Sequence, residues 1–214
     1  MLSIKLPHFP SNDPNYVANV VFLNYHHEKL FEIPNEIWRI KKIKILTLTK
    51  NYISTVCPNI VHLMNLKHLY LSLNLIEDMA YLCNLKKLVT LELAQNKLKE
   101  IPCEIKNMTM LQEFIVASNE ITSLPKELFT LKNIRVLVVS GNLLRDLPKE
   151  ISNCVFLERL YFNNNFITML PDELYDLKYL KILNGANNKI ETIKHKILIM
   201  ESLTFIDMQK NKLP

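Results

Sequence analysis

LQEFIVASNEITSLPKELFTLKN (residues 111–133) is followed at once by IRVLVVSGNLLRDLPKEISNCVF (residues 134–156). The two stretches share one template. Each opens on an apolar residue, Leu111 or Ile134. A second stands at position 4 (Phe114, Leu137) and a third at position 6 (Val116, Val139). An asparagine follows at position 9 (Asn119, Asn142), and Leu124-Pro125 or Leu147-Pro148 comes later. Along the whole chain the template starts at Val20, Ile43, Leu66, Leu88, Leu111, Ile134, Leu157, Leu180 and Leu203. The intervals are all 23 residues except the 22 between Leu66 and Leu88. A fixed period of this length over nearly the whole chain is the signature of a stacked-repeat architecture, and it outranks any local propensity.

The apolar positions 4 and 6 alternate with their neighbours, which predicts a short strand with one buried face in each unit. Successive units then set these strands side by side in a parallel sheet. The remainder of each unit, with Pro34, Pro102, Pro125, Pro148 and Pro171 after an apolar anchor, suits a turn or short helix on the outside. No unit can bury its own apolar residues, so stability has to come from its neighbours. The motif L-x-x-L-x-L-x-x-N, carried from Val20 to the last residue, resembles the leucine-rich repeat family. The resemblance implies an α/β solenoid: a horseshoe with a parallel concave β-sheet and turns or short helices on the convex side. The Leu124-Pro125-Lys126-Glu127-Leu128 ending is similar to the Ras-group class of intracellular repeats. The shorter third unit, through Asn74-Leu75-Ile76-Glu77-Asp78-Met79, is similar to phosphatase-regulator repeats.

Position 9 holds Asn51, Asn74, Asn96, Asn119, Asn142, Asn165, Asn188 and Asn211, and only the first unit differs, with Glu28. Where the chain leaves the strand, backbone N–H and C=O groups near the core lose their ladder partners. A carboxamide both donates and accepts, so a stacked asparagine column is expected to satisfy them. Gly185 takes the place of a core side chain between Phe162 and Met208, which reads as a large–small–large column that fills without a void.

Residues 1–19 do not fit the repeat. Asp13-Pro14 there matches an N-cap and first helical position, and the segment is expected to cap the array. Residues 20–214 form eight units and a partial ninth that stops at Leu213-Pro214. With no cap sequence after it, Ile193, Ile197 and Met200 are expected to be partly open, to be covered by a partner, by a second copy through self-association, or by further sequence of a longer protein.

The composition excludes several function classes. The chain has 214 residues, 49% hydrophobic and 22% charged, with a net charge of +5. Its two glycines lie in no phosphate-binding motif, which removes dinucleotide and P-loop readings. No apolar run reaches the ~18 residues of a membrane span, and no secretory h-region precedes the first prolines. The expectation is a cytoplasmic or nuclear protein with no membrane partner. Asn107-Met108-Thr109 reads as a chance glycosylation triplet. The histidines are too scattered for a shared metal, and Cys57, Cys83, Cys103 and Cys154 fall in four different units without a C-x-x-C. Neither a metal, a cofactor nor a catalytic set is expected. Glu92 and Glu113, on neighbouring strands, read as a solvated acidic patch rather than a hydrolytic pair. Lys41-Lys42 and Lys86-Lys87 fall at unit ends with acidic residues interleaved along the chain, so nucleic acid is not expected as a partner.

What remains is the open face of the sheet, built from positions 3, 5 and 7. Its middle carries Ile115, Val136, Val138 and Tyr161, with Tyr70, Glu92, Glu113 and Arg159 around them. An apolar strip rimmed by charge, with tyrosine and arginine present, is the pattern of a protein-binding surface. The sequence therefore points to a non-enzymatic interaction scaffold or adaptor. The resemblance implies a small GTPase, phosphatase subunit or adaptor as partner. The competing reading is a regulatory or targeting subunit of a separate enzyme, in a phosphatase, nuclease or GTPase pathway.

Overall fold

The computed structural model describes residues 19–214. The segment expected to cap the array lies outside the described residues, apart from Asn19. Nine three-residue strands form one parallel sheet in chain order. They are β1 (Phe22–Asn24), β2 (Ile45–Thr47), β3 (His68–Tyr70), β4 (Thr90–Glu92) and β5 (Glu113–Ile115), then β6 (Val136–Val138), β7 (Arg159–Tyr161), β8 (Ile182–Asn184) and β9 (Phe205–Asp207). The register never slips: position 4 of each unit faces position 4 of the next, as in Leu69↔Leu91, Leu91↔Phe114 and Phe114↔Leu137. Constant register follows from the constant period, since a one-residue shift would throw every buried side chain to the other face.

The return segments are five-residue 3-10 turns, such as Lys126–Thr130 and Lys149–Asn153, and not α-helices. In five units proline stands immediately before the turn with φ between −57° and −69°. It supplies the entry angle and has no N–H to strand there. The short third unit has Met79 in that place, and the Asp78 carboxylate accepts the Ala80 N–H at 2.8 Å instead.

One continuous apolar core runs between strands and turns from Val20 to Ile190. Beyond it Ile193, Ile197 and Met200 are only partly buried, while Leu198 and Ile199 are 80% and 76% exposed. Gly185 sits against Phe162 and Met208. A Cβ built there would lie 2.5 Å from a Phe162 ring carbon and 2.8 Å from the Met208 sulfur.

The asparagine side chains lie under the turn that follows each strand. Asn119 Nδ2 donates to the Leu93 and Val116 carbonyls at 3.0 and 3.1 Å, and its Oδ1 accepts the Leu98 N–H at 3.0 Å. The pattern recurs through Asn211, which binds the Gly185 and Met208 carbonyls and the Ile190 N–H. Asn51, facing the variant first unit, accepts the N–H groups of both Glu28 and Leu30. The residue just before this column is left-handed in every unit: His27, Lys50, Leu73, Gln95, Ser118, Gly141, Asn164, Asn187 and Lys210 all have φ between +54° and +66°. Glycine and asparagine at three of these places are the only local signals of that geometry.

Candidate protein-binding face

Strands β3 to β7 place two rows of side chains on the open face. Position 3 runs His68, Thr90, Glu113, Val136, Arg159, and position 5 runs Tyr70, Glu92, Ile115, Val138, Tyr161, each residue facing the next across paired backbones. Parallel strands are ~4.8 Å apart, so neighbours in a row can touch.

The position 3 row is a polar chain. His68 Nδ1 lies 3.1 Å from Thr90 Oγ1, and Thr90 Oγ1 donates to Glu113 Oε2 at 3.4 Å. From the other side, the Arg159 guanidinium approaches Glu113 Oε1 to 3.8 Å. These two residues are on β5 and β7, so the pair reaches over β6 and lies across Val136. Val136 is consequently only 7% exposed. It belongs to the expected apolar strip and lies on the concave side, but its neighbours cover it and it offers a partner little surface. Arg159 and Glu113, expected at the margin as separate contacts, are engaged with each other.

Glu92 is held from the next row. Ser72 Oγ donates to Glu92 Oε1 at 2.7 Å and itself accepts the Ala94 N–H at 3.0 Å. Tyr70 stands beside this pair of carboxylates. Partial burial, and then the negative charges of Glu113 and Glu92, push its hydroxyl pKa up, so the phenol stays protonated and available as a donor. Ser72 and Thr90 face the open side by their repeat positions but are not among the binding residues expected from the sequence. The available signal was a hydroxyl residue one strand away from each glutamate.

Ile115, Val138 and Tyr161 remain half-buried and open to the concave side, on three adjacent strands. The face therefore has an acidic half with fixed carboxylates at β4 and β5 and an apolar half at β5 to β7. Among the described residues no group of three histidine, cysteine, aspartate or glutamate side chains is arranged to hold a metal ion. No helix among them is long and apolar enough to cross a membrane.

The leucine-rich repeat signature matches residues 41–98 and 109–165, together more than half of the chain. The chain belongs to the leucine-rich repeat family. Its fold is similar to that of the leucine-rich repeat protein LIC12759 of Leptospira interrogans, at 30% identity over 98% of this chain and 54% of that one, with a TM-score of 0.86. An internalin of Listeria monocytogenes, InlF, is 24% identical over 94% of this chain and 59% of its own, with a TM-score of 0.84, a likeness of fold alone. The plant peptide hormone receptor RGFR1, solved in complex with RGF2, is 32% identical over 85% of this chain and 30% of the receptor chain, with a TM-score of 0.76. The leucine-rich repeat chain thus spans little more than half of the first of these proteins and less than a third of the last. A search of curated proteins gave no significant match.

Proposed function

We propose that this leucine-rich repeat chain is a protein-interaction scaffold that takes a polypeptide segment across its concave face. The observation that carries the reading is the division of that face. Glu92 is held by Ser72, Glu113 lies 3.4 Å from Thr90 Oγ1 and 3.8 Å from Arg159, and a half-buried apolar patch of Ile115, Val138 and Tyr161 adjoins them. A segment with a lysine or arginine followed by a large apolar side chain matches both halves. A carboxylate held as Glu92 is gives a cation its register at little further ordering cost, and the tyrosine and aliphatic patch supplies desolvated contact area. The family supports a binding role, and the receptor RGFR1 is known in complex with RGF2. The Ras-group resemblance of the Leu-Pro endings favours an intracellular setting, with a small GTPase, phosphatase subunit or adaptor as the source of the segment. A regulatory arm of a separate enzyme would use the same face.

Selection from a peptide-display library against the folded chain tests this. Enriched peptides are expected to pair a basic with an apolar residue. Tyr161→Ala combined with Val138→Asp is expected to weaken their binding by more than about tenfold, since losing an aromatic anchor costs ~2 kcal/mol or more. The melting temperature should scarcely move, because neither side chain enters the core. Lys126→Ala with Glu127→Ala, on the outer turn, is the control and should bind normally. Loss of binding in the control with full affinity in the concave variant would move the site to the convex side.

A further inference from the structure

Each unit returns to its strand through an exposed turn, and these turns line one side of the array. They are the last two positions of each unit and position 2 of the next. In the first three units they carry Lys41, Lys42, Lys44, Lys67, Lys86 and Lys87, all exposed. None of the six pairs with a carboxylate among the described residues. Lys41 Nζ donates to the Trp38 carbonyl and Lys87 Nζ to Asn65 Oδ1, both neutral acceptors. In the sequence, Glu77 and Asp78 separate these lysines. In the fold they are on the opposite side, past the asparagine column, where they line a groove with Ser54, Thr55 and Tyr81. Interleaving along the chain thus becomes segregation in space.

The same side also exposes large apolar residues. Met64 is 67% exposed between Lys41 and Lys86 in the row of next-to-last positions. Further along stand Met110, Val155, Phe156 and Tyr179, with the last two rings 5.8 Å apart. The glutamate in this stretch, Glu158, is neutralised twice over by Arg135 at 2.6 Å and Lys181 at 2.7 Å.

We propose that this side of the solenoid is a docking surface for an anionic lipid bilayer. It is independent of the concave site. Because every unit repeats the last, equivalent positions stand at the same height along the side, and their tips meet a flat surface together. An anionic leaflet attracts clustered lysines, and exposed aliphatic and aromatic tips enter the headgroup boundary. Single-stranded nucleic acid suits the pattern less well. It needs aromatic platforms between its phosphate contacts, whereas the residue among the lysines here is Met64 and the paired rings are three units away. The absence of a spanning helix does not bear on this, since a surface contact needs none.

The test is co-sedimentation of the full chain with vesicles. Binding is expected to mixed phosphatidylcholine–phosphatidylserine vesicles and not to pure phosphatidylcholine. Reversing Lys41, Lys42, Lys86 and Lys87 to Glu should weaken it by about a hundredfold or more, since each lysine at an anionic surface contributes several-fold. The control reverses Lys97, Lys99, Lys126 and Lys149, the same change of charge elsewhere on the surface, and should bind within a few-fold of the original. Met64→Ser with Phe156→Ser should weaken vesicle binding several-fold while leaving capture of polyglutamate unaltered. Thermal melts establish that each variant is folded. Failure of the original chain to bind the mixed vesicles overturns the proposal, as does equal loss in the control. Full vesicle binding by the serine variant, together with tighter capture of a single-stranded oligonucleotide or polyglutamate than of vesicles, also overturns it and leaves a general polyanion surface.

Discussion

Asn119 shows how much a single side chain does in this architecture. Its carboxamide ties together two units, accepting from Leu98 and donating to Leu93 and Val116, and it is 8% exposed. Asn119→Ala leaves those buried groups without partners, and a loss of about 1–3 kcal/mol is expected in a denaturant melt. Asn153→Ala, on the surface of an outer turn, should be nearly neutral, so equal effects at both positions would sink the ladder argument. Gly185 makes the opposite case, where an added methyl is too much. Its Cβ would press on Phe162 and Met208, and Gly185→Ala is expected to cost about 1–3 kcal/mol through overpacking. Phe162→Leu in the same chain should recover part of the loss if the clash is the cause. Leu73 carries a left-handed φ of 60° and its side chain is exposed. Such backbone costs roughly 1–2 kcal/mol in a residue with a Cβ, and glycine's own entropy cost is smaller, so Leu73→Gly should raise the melting midpoint slightly.

At the scale of elements, strands of three residues cannot be stable alone. Each persists because the strands on both sides, and the turn behind it, complete its burial. Protection should therefore follow how completely a unit is enclosed. Core positions are sealed as far as Ile190, whereas Ile206, a position 4 residue in β9, is 44% exposed. Among the described residues, hydrogen exchange is expected to be slow in β3 to β7 and fastest past residue 190. Uniform protection across all nine strands would show that the last unit is enclosed by something beyond its own packing. Most of this level was legible in the sequence. The nine unit starts, the buried positions 4 and 6 and the asparagine column each follow from a period that the chain repeats. The left-handed residue before each asparagine was not, because histidine, lysine, leucine, glutamine and serine at that place carry no turn signal. The stacking of units imposes the conformation on them. Asp78 was equally hidden: it replaces a proline by a side-chain bond to Ala80, a substitution of mechanism rather than of residue type.

For the molecule as a whole, the period sorts side chains into a core, a concave face and two flanks, and the sorting redistributes charge in ways the linear order conceals. On the concave face the period dictates which positions turn away from the core, but not which of those side chains are free. Val136 vanishes under an ion pair between strands that are not adjacent, and pairing at that range depends on side-chain reach rather than on register. The core has a consequence of its own for pH. Cys83 and Cys154 are free thiols, and burial pushes both up to about 12. Tyr25, fully buried in the first unit, is also raised, by burial and then by the charge of Glu36. In the unfolded chain a thiol loses its proton near ~8.5 and a phenol near ~10. Above those values the unfolded state is ionised while the native state still holds its protons, so it binds fewer protons than the native state. Stability must then fall as pH rises. Denaturant midpoints are expected to be flat up to about pH 8 and to decline from there towards pH 10.5. Lysine deprotonation also enters at the upper end, so the decisive measurement is a difference. The double variant Cys83→Ala with Cys154→Ala should be less stable at neutral pH, having lost two small buried groups, and should lose less on going from pH 8 to pH 10.5. Parallel declines in the two proteins would mean that the thiols titrate normally and that the core around them admits water.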